Sequence, residues 1–480
     1  MLVRFSHPIV RHRWLLLFCC YLVAYGFILP LGNARFWDDW SSHSLSGVVF
    51  LSGQVFPFRE FLDELTISAT SGFWLYRPLT LFAYGASGIA LWGILGEPKG
   101  RLSQSERFWI TSLFLLIPYN SVRTVVQSLY SYTFSHLLFF VAWYLLVSRR
   151  HWSWFSLSWI FFVLSFPTHS LLFFVILPAV HCLTCRQFSW RSRLLRFAIL
   201  GLTSLLYRPL AGEIWPDFRL NEGYNQIEMS FLFRALLVLA SVNGLSLLIA
   251  MRTKSPSSNE SNHDRRLIAA GLSAFSVGLF PYMAVGHFPN LSDFLVLFIP
   301  NLSEMDSRHS LLLPLGTAIT VVGLVKTAVK KSYQDRLLGA TITISTILCA
   351  SIYLQYYTDG LKQEGIVRNL RQNSTLIPTR AVQFQDSTLR FNARGRSLYH
   401  WEYLGMLKDS GLGFDFEIMD RGGYPCDPNS QVSGTLVTIN STFGRLRTIF
   451  TGDAGIVLVS TPAKLCGPGL TALAVHKLQP

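Results

Sequence analysis

The chain has 480 residues; 50% are hydrophobic, 14% are aromatic and only 14% are charged, and the formal net charge is +14. Soluble domains carry about 25% charged residues, so this composition excludes an ordinary soluble globule and points to a membrane protein. The positive balance does not require nucleic acid, because basic loops gathered on one side of a membrane give the same total.

Apolar runs of roughly 17–25 residues mark segments able to cross a bilayer. They predict about eleven spans, at 14–31, 74–95, 108–118, 129–147, 154–166, 169–184, 195–210, 231–250, 267–286, 310–326 and 337–355. The first has a basic start and a small-residue end, as a signal peptide does. It is nevertheless long enough to cross, and is read as a retained first helix. Pro118, Pro167 and Pro178 fall in or beside short spans. Such breaks at membrane depth are tolerated where they line a cavity walled by protein.

The connecting segments alternate in charge. "VRFSHPIVRHR", "EPKGRLSQSER", "SRRHW", "CRQFSWRSR", "MRTKSPSSNESNHDRR" and "VKKSYQDR" are basic. The intervening loops hold Asp38, Asp39, Glu60, Asp63, Glu64, Glu213, Asp217, Glu222, Asp293, Glu304 and Asp306. The positive-inside rule assigns the first set, with the N-terminus, to the cytoplasm and the second to the outside. An odd number of crossings then places residues 357–480 outside, next to a membrane region 1–356.

The first outside loop, 33–73, opens with "NARFWDDWSSHS". Two adjacent carboxylates, Asp38 and Asp39, stand there between Trp37 and Trp40. Tryptophan is common at a membrane interface, so the pair could be a boundary marker. Adjacent carboxylates also repel, and partial burial raises at least one pKa, which suits a general base. The same oxygens, with His43 four residues on, could hold a divalent metal. Further along the loop, "FPFREFLDELT" places Phe58, Phe61, Leu62 and Leu65 on one helical face, opposite Arg59, Glu60, Asp63 and Glu64. That is a short amphipathic helix, fit for the membrane surface or for packing on the protein.

Other outside-facing cations and imidazoles follow in order. Arg77 stands in "WLYRPLTLFAYG" where the second span begins, and Arg123 follows the Pro118 break. His169 sits at the Pro167 break, and Arg308 and His309 open the tenth span. An arginine at a membrane boundary is costly unless it is paired or functional, and its planar fork suits phosphate. Each of these arginines therefore reads either as the partner of an internal carboxylate or as a phosphate ligand.

Seven cysteines divide by compartment. Cys19, Cys20 and Cys349 read as apolar packing residues, and Cys182 and Cys185 form a lone C-x-x-C. Cys426 and Cys466 form an outside pair, where a disulfide is permitted. In the tail, "GTLVTINS", "RLRTIFTG", "AGIVLVST" and "LTALAVHKL" read as short strands, and "SLYHWEYLGMLKDSG" as a helix that ends at glycine. Together they predict a small α+β domain.

"FWDDW" after the first helix, the long first loop with its surface helix, "RPL" at the second helix, about eleven spans and an outside tail resemble one family. It is the polytopic membrane glycosyltransferases of the C-type fold (GT-C), in particular the bacterial family-39-like enzymes, which use polyprenyl-phosphate-linked sugars. The resemblance covers the layout of the whole chain through short motifs. Where the family often shows an acidic pair near a middle helix, this chain has Thr168 and His169. The resemblance implies inverting sugar transfer in the plasma (inner) membrane, to a glycan, lipid or protein acceptor outside. Asp38 or Asp39 would be the base, and Arg77, Arg123, Arg308, His309 and His169 would surround the leaving phosphate. No cofactor is required on this reading, and a divalent metal at Asp38, Asp39 and His43 is optional. A lipid-linked polysaccharide polymerase or ligase and a transporter of lipid-linked sugars are the competing readings.

Overall fold

The computed structural model describes residues 8–31, 34–36, 76–97, 102–119, 125, 130–149, 151–185, 187–214, 228–251, 259–286, 310–379, 381–412, 417–418 and 431–466. Twelve α-helices come first among these residues. They are α1 (Pro8–Tyr25), α2 (Tyr76–Leu95), α3 (Gln104–Leu116), α4 (Tyr130–Ser148), α5 (Trp152–Ser165) and α6 (Ser170–Phe174), then α7 (Ile176–Thr184), α8 (Trp190–Ile214), α9 (Met229–Met251), α10 (Asn259–Met283), α11 (Leu313–Ala328) and α12 (Lys331–Gln372). Each of the eleven apolar runs lies on one or two of them. Five helical segments are long and apolar enough to cross a membrane: His12–Pro30, Tyr76–Leu95, Met229–Ile249, Asn262–Met283 and Lys331–Gln372. Shorter apolar helices cover 132–148, 152–165, 170–184 and 313–328.

Local sequence explains the ends of these helices. Ser103 accepts from the Glu106 backbone and Glu106 from the Ser103 backbone, a reciprocal cap that starts α3. Pro167 follows the end of α5, and the chain re-enters helix only at Ser170, because proline has no N–H with which to continue the helical ladder.

The tightest packing joins α10 to α11. A Cβ added at Gly316 would stand 2.2 Å from the Phe275 backbone nitrogen, and one at Gly271 2.5 Å from that of Thr320. Small residues that let two backbones touch replace the hydrophobic drive that is absent between helices in lipid. Gly316→Ala is therefore expected to cost about 1–3 kcal/mol by overpacking, read as a lower melting temperature in detergent. Gly201→Ala on α8, where an added Cβ meets nothing within 4 Å, should leave that temperature unchanged. Elsewhere the core is aromatic, with Phe114, Phe139, Phe140, Phe162, Phe166 and Phe174 buried together.

Contacts divide the helix ends into two groups. At one end Arg13 meets Asp335 (3.7 Å) and Ser105 (3.4 Å), Trp109 donates to Asp335 (2.8 Å), and Lys326 and His263 both reach Glu106. Of these, Arg13, Ser105, Glu106, His263 and Asp335 come from four of the six segments read as cytoplasmic. At the other end α12 continues into the C-terminal domain.

α12 has 42 residues, about 63 Å of helix, twice what a bilayer core needs. Residues 337–358 carry no charged side chain; the helix does not stop where they end, and its last turns form one wall of the domain. Against them pack β1 (Ala381–Asp386), α13 (His400–Asp409), β2 (Glu417–Ile418), β3 (Gln431–Ser441), α14 (Arg445–Thr451) and β4 (Ile456–Cys466). The sheet order is β2-β1-β3-β4, with β1 parallel to β2 and β3, and β4 antiparallel to β3. Ile366 and Leu370 of α12 share a core with Val382, Met406, Leu407, Val437 and Ile439.

The predicted helix at 397–411 and the strands at 434–441 and 454–461 are present in this domain. "RLRTIFTG" is a correction: residues 445–451 form helix α14, bracketed by Gly444 and by Gly452 in the left-handed conformation. β1 was not among the predicted strands. The predicted surface helix in the first loop, the strand at 470–478 and Cys426 lie outside the described residues.

Candidate functional site

Arg77 is the second residue of α2, and Pro78 follows in the first turn, where a missing N–H is harmless. The side chain turns inward and is 2% exposed. It donates to the carbonyl oxygen of Ala34 and, at 3.4 Å, to that of Val125. Its guanidinium lies 5.9 Å from the centre of the Phe36 ring. Phe36 in turn meets Tyr356 of α12 edge to face at 5.6 Å. Glu364, two turns further along α12, lies within electrostatic reach of Arg77.

Arg35, between those two anchored residues, bonds both carboxylate oxygens of Asp409 on α13, at 2.9 and 3.0 Å. Three consecutive residues are thus fixed to three elements: Ala34 to α2, Arg35 to the C-terminal domain and Phe36 to α12. Ala34 and Phe36 are both buried. The next residues in the sequence are Trp37, Asp38 and Asp39.

Of the residues singled out from the sequence, Arg77 and His169 are described. Asp38, Asp39, His43, Arg123, Arg308 and His309 lie outside the described residues. Several of their neighbours in the chain are described. Val125, two residues after Arg123, is buried against Arg77, and Ser310, next to His309, donates to the Tyr119 carbonyl oxygen. His169 precedes α6. The adjacent Ser170 accepts from the Tyr282 hydroxyl at 3.3 Å, near the C-terminal end of α10. Since α10 begins beside His263 at the basic end, His169 stands at the same end of the bundle as Arg77.

A second polar cluster was not anticipated. Behind the anchored segment, α12 presents Asp359 and Lys362 to the domain, both fully buried. Arg396 bonds Asp359 (3.2 Å) and makes a two-pronged pair with Glu402 (2.7 and 2.9 Å), and Lys362 bonds Asp386 and Asn392. Burial works against the Arg396 charge, but Asp359 and Glu402 outweigh it and push its pKa up. Burial likewise pushes the Asp386 carboxyl up, but the Lys362 ammonium and the Thr388 hydroxyl and N–H hold it below the usual carboxylate range.

A carboxyl whose pKa is depressed by folding adds stability above its unfolded value, about 3.9. That contribution is lost as pH falls from there through the lowered folded value. Asp386→Asn should therefore melt earlier than the native protein at neutral pH, with the gap closing in acid. Melting temperatures of the two proteins measured from neutral to acid pH check this.

Among the described residues one group of imidazole and carboxylates is close enough to share a metal. Glu106, His263 and Asp264 bring ligand atoms within 4.8 Å of one another at the basic end. The Lys326 ammonium already bonds Glu106 and stands 3.5 Å from Asp264, so a cation of the protein's own neutralises the cluster. Cys182 and Cys185 are both buried.

No family model matches the chain, and no curated protein matches it significantly.

Proposed function

We propose that the chain is an inverting glycosyltransferase of the GT-C type, which moves a sugar from a polyprenyl-phosphate donor to an acceptor hydroxyl. On this reading all eleven spans cross the plasma membrane, the basic end faces the cytoplasm, and the domain and the aspartate pair face outward. The observation that carries the proposal is the anchoring of residues 34–36 beside the buried Arg77. Transfer from a lipid phosphate needs a carboxylate and cations held at fixed spacing at membrane depth, and flexible attachment would forfeit most of the gain from proximity.

In the reaction Asp38 or Asp39 takes the proton from the acceptor hydroxyl as its oxygen attacks the anomeric carbon. The bond to the phosphate oxygen breaks with its electron pair, through an oxocarbenium-like state. Arg123, Arg308, His309 and His169 are proposed to stabilise the departing phosphate. Arg77 already bonds two carbonyl groups, so its proposed role is to position the chain that leads into the aspartates.

The test is incubation of the purified protein with a panel of polyprenyl-phosphate sugars, scoring free polyprenyl phosphate with and without EDTA. Release with at least one donor supports the reading, and insensitivity to EDTA supports a metal-free site. No release from any donor in the presence of mixed acceptors would contradict it.

A further inference from the structure

Leu446 and Phe450 of α14 are 73% and 86% exposed. Four residues apart, they share one helix face, while Thr448 on the opposite face is fully buried. Leaving a Leu and a Phe in water forgoes about 1.5–3 kcal/mol each, so their surroundings matter.

The topology gives the depth of α14. Thr358 of α12 donates to the Phe391 carbonyl oxygen at 3.0 Å, and Lys362 bonds Asp386 at the end of β1. β1 therefore runs toward the point where the uncharged stretch of α12 ends. β3 is parallel to β1, with Asp386 level with Ile439, so its end and α14 lie on the same side of the domain. A Cβ added at Gly452, just after α14, would stand 3.9 Å from the Tyr357 hydroxyl. Residues 337–358 make about 33 Å of helix, matching a hydrocarbon core about 30 Å thick. Tyr357, one residue before its end, is half-buried, as an aromatic residue at a membrane interface can be.

The charged residues of α14 are both basic, and the acids nearest it, Asp453 and Asp386, are paired to Arg368 and Lys362 of α12. Arg445 and Arg447 flank Leu446, and Arg447 lies 4.0 Å from the Phe443 ring centre. Arg390 donates to the Phe443 carbonyl oxygen at 3.1 Å, beside the exposed Leu389. Residues 438–452 contain no Asp or Glu.

We propose that α14 is a foot that docks on the phospholipid headgroup layer of the bilayer that α12 crosses. Leu446 and Phe450 enter the boundary between headgroups and acyl chains, and Arg445, Arg447 and Arg390 bind lipid phosphates, as in surface-lying amphipathic helices. With α12 as the first attachment, the foot is a second one, and it stops the domain from turning about the helix axis. The inference rests on α12 crossing the membrane and not on any enzymatic reading.

The test places the unsubstituted chain in vesicles of zwitterionic and anionic phospholipid, doped with a phospholipid that carries a photoactivatable diazirine near the glycerol. After irradiation, adducts are expected on residues 444–452 and absent from 458–466, which run away from the membrane along β4. Leu446→Asp combined with Phe450→Asp should lose the adducts on 444–452 while those on α12 remain. Equal labelling of 444–452 and 458–466 in the unsubstituted protein would overturn the proposal. So would photo-crosslinks from an aromatic diazirine residue at position 450 to a second copy or to another segment of this chain.

Discussion

Asn in place of Asp38 or of Asp39 is expected to reduce sugar transfer by about 10²–10⁴-fold, the usual contribution of a positioned general base. The substitution removes the basic oxygen and keeps the shape of the side chain. The preceding residues Ala34, Arg35 and Phe36 are held by Arg77, Asp409 and Tyr356. The amount of protein in the membrane and its melting temperature should therefore change little. If one single variant loses transfer and the other keeps most of it, the residue lost is the base. Full activity in both would remove the aspartates from the chemistry and return them to the role of a boundary marker.

Arg77→Lys is expected to lower the rate of transfer by about 10²-fold, the effect of misplacing a reacting group by about 1 Å. Both bonds come from one guanidinium nitrogen, Nη2. Lysine keeps the positive charge, but its side chain is shorter and its ammonium ends short of that position; a buried acceptor left unmade costs about 1–3 kcal/mol. The loss should fall on turnover and leave apparent donor affinity nearly unchanged, because Arg77 is proposed to hold the chain and not the phosphate. A large rise in KM with unchanged kcat would instead make Arg77 a donor ligand.

Much of the helical layout could be read from the sequence because lipid imposes a simple rule. Long apolar runs must satisfy their backbone internally, and basic residues collect in loops on one side. All eleven runs lie on helices, and Arg13, Ser105, Glu106, His263 and Asp335, from segments read as lying together, do meet at one end. The end of α12 was not legible. Periodicity marks where lipid stops, but Asp359, Lys362 and Gln363 continue the helix because the domain pairs their polar groups after burial. The same holds for Arg396 and Glu402, whose partners are far away in sequence or set by folding. α14 was misread because "RLRTIF" alternates like a strand, whereas the glycines on either side of it set a short helix.

Arg77 was visible as an arginine at a span boundary, though its partners were not. A guanidinium that bonds main-chain carbonyl groups leaves no signature in side-chain types, since any residue at 34 or 125 offers the same oxygen. Arg35 was equally silent, because its partner Asp409 lies at the far end of the chain.

The central claim is that a lipid-linked sugar is transferred and not merely moved across the membrane. It is tested most directly in proteoliposomes that hold the purified protein and a doubly labelled donor, with one label on the sugar and one on the polyprenyl phosphate. The proposal predicts that the labels separate, with free polyprenyl phosphate and glycosylated acceptor appearing in equal amounts, and that this separation is lost in Asp38→Asn or Asp39→Asn. Intact donor crossing the bilayer with both labels still joined, at the same rate in both variants, would contradict it and make the protein a transporter.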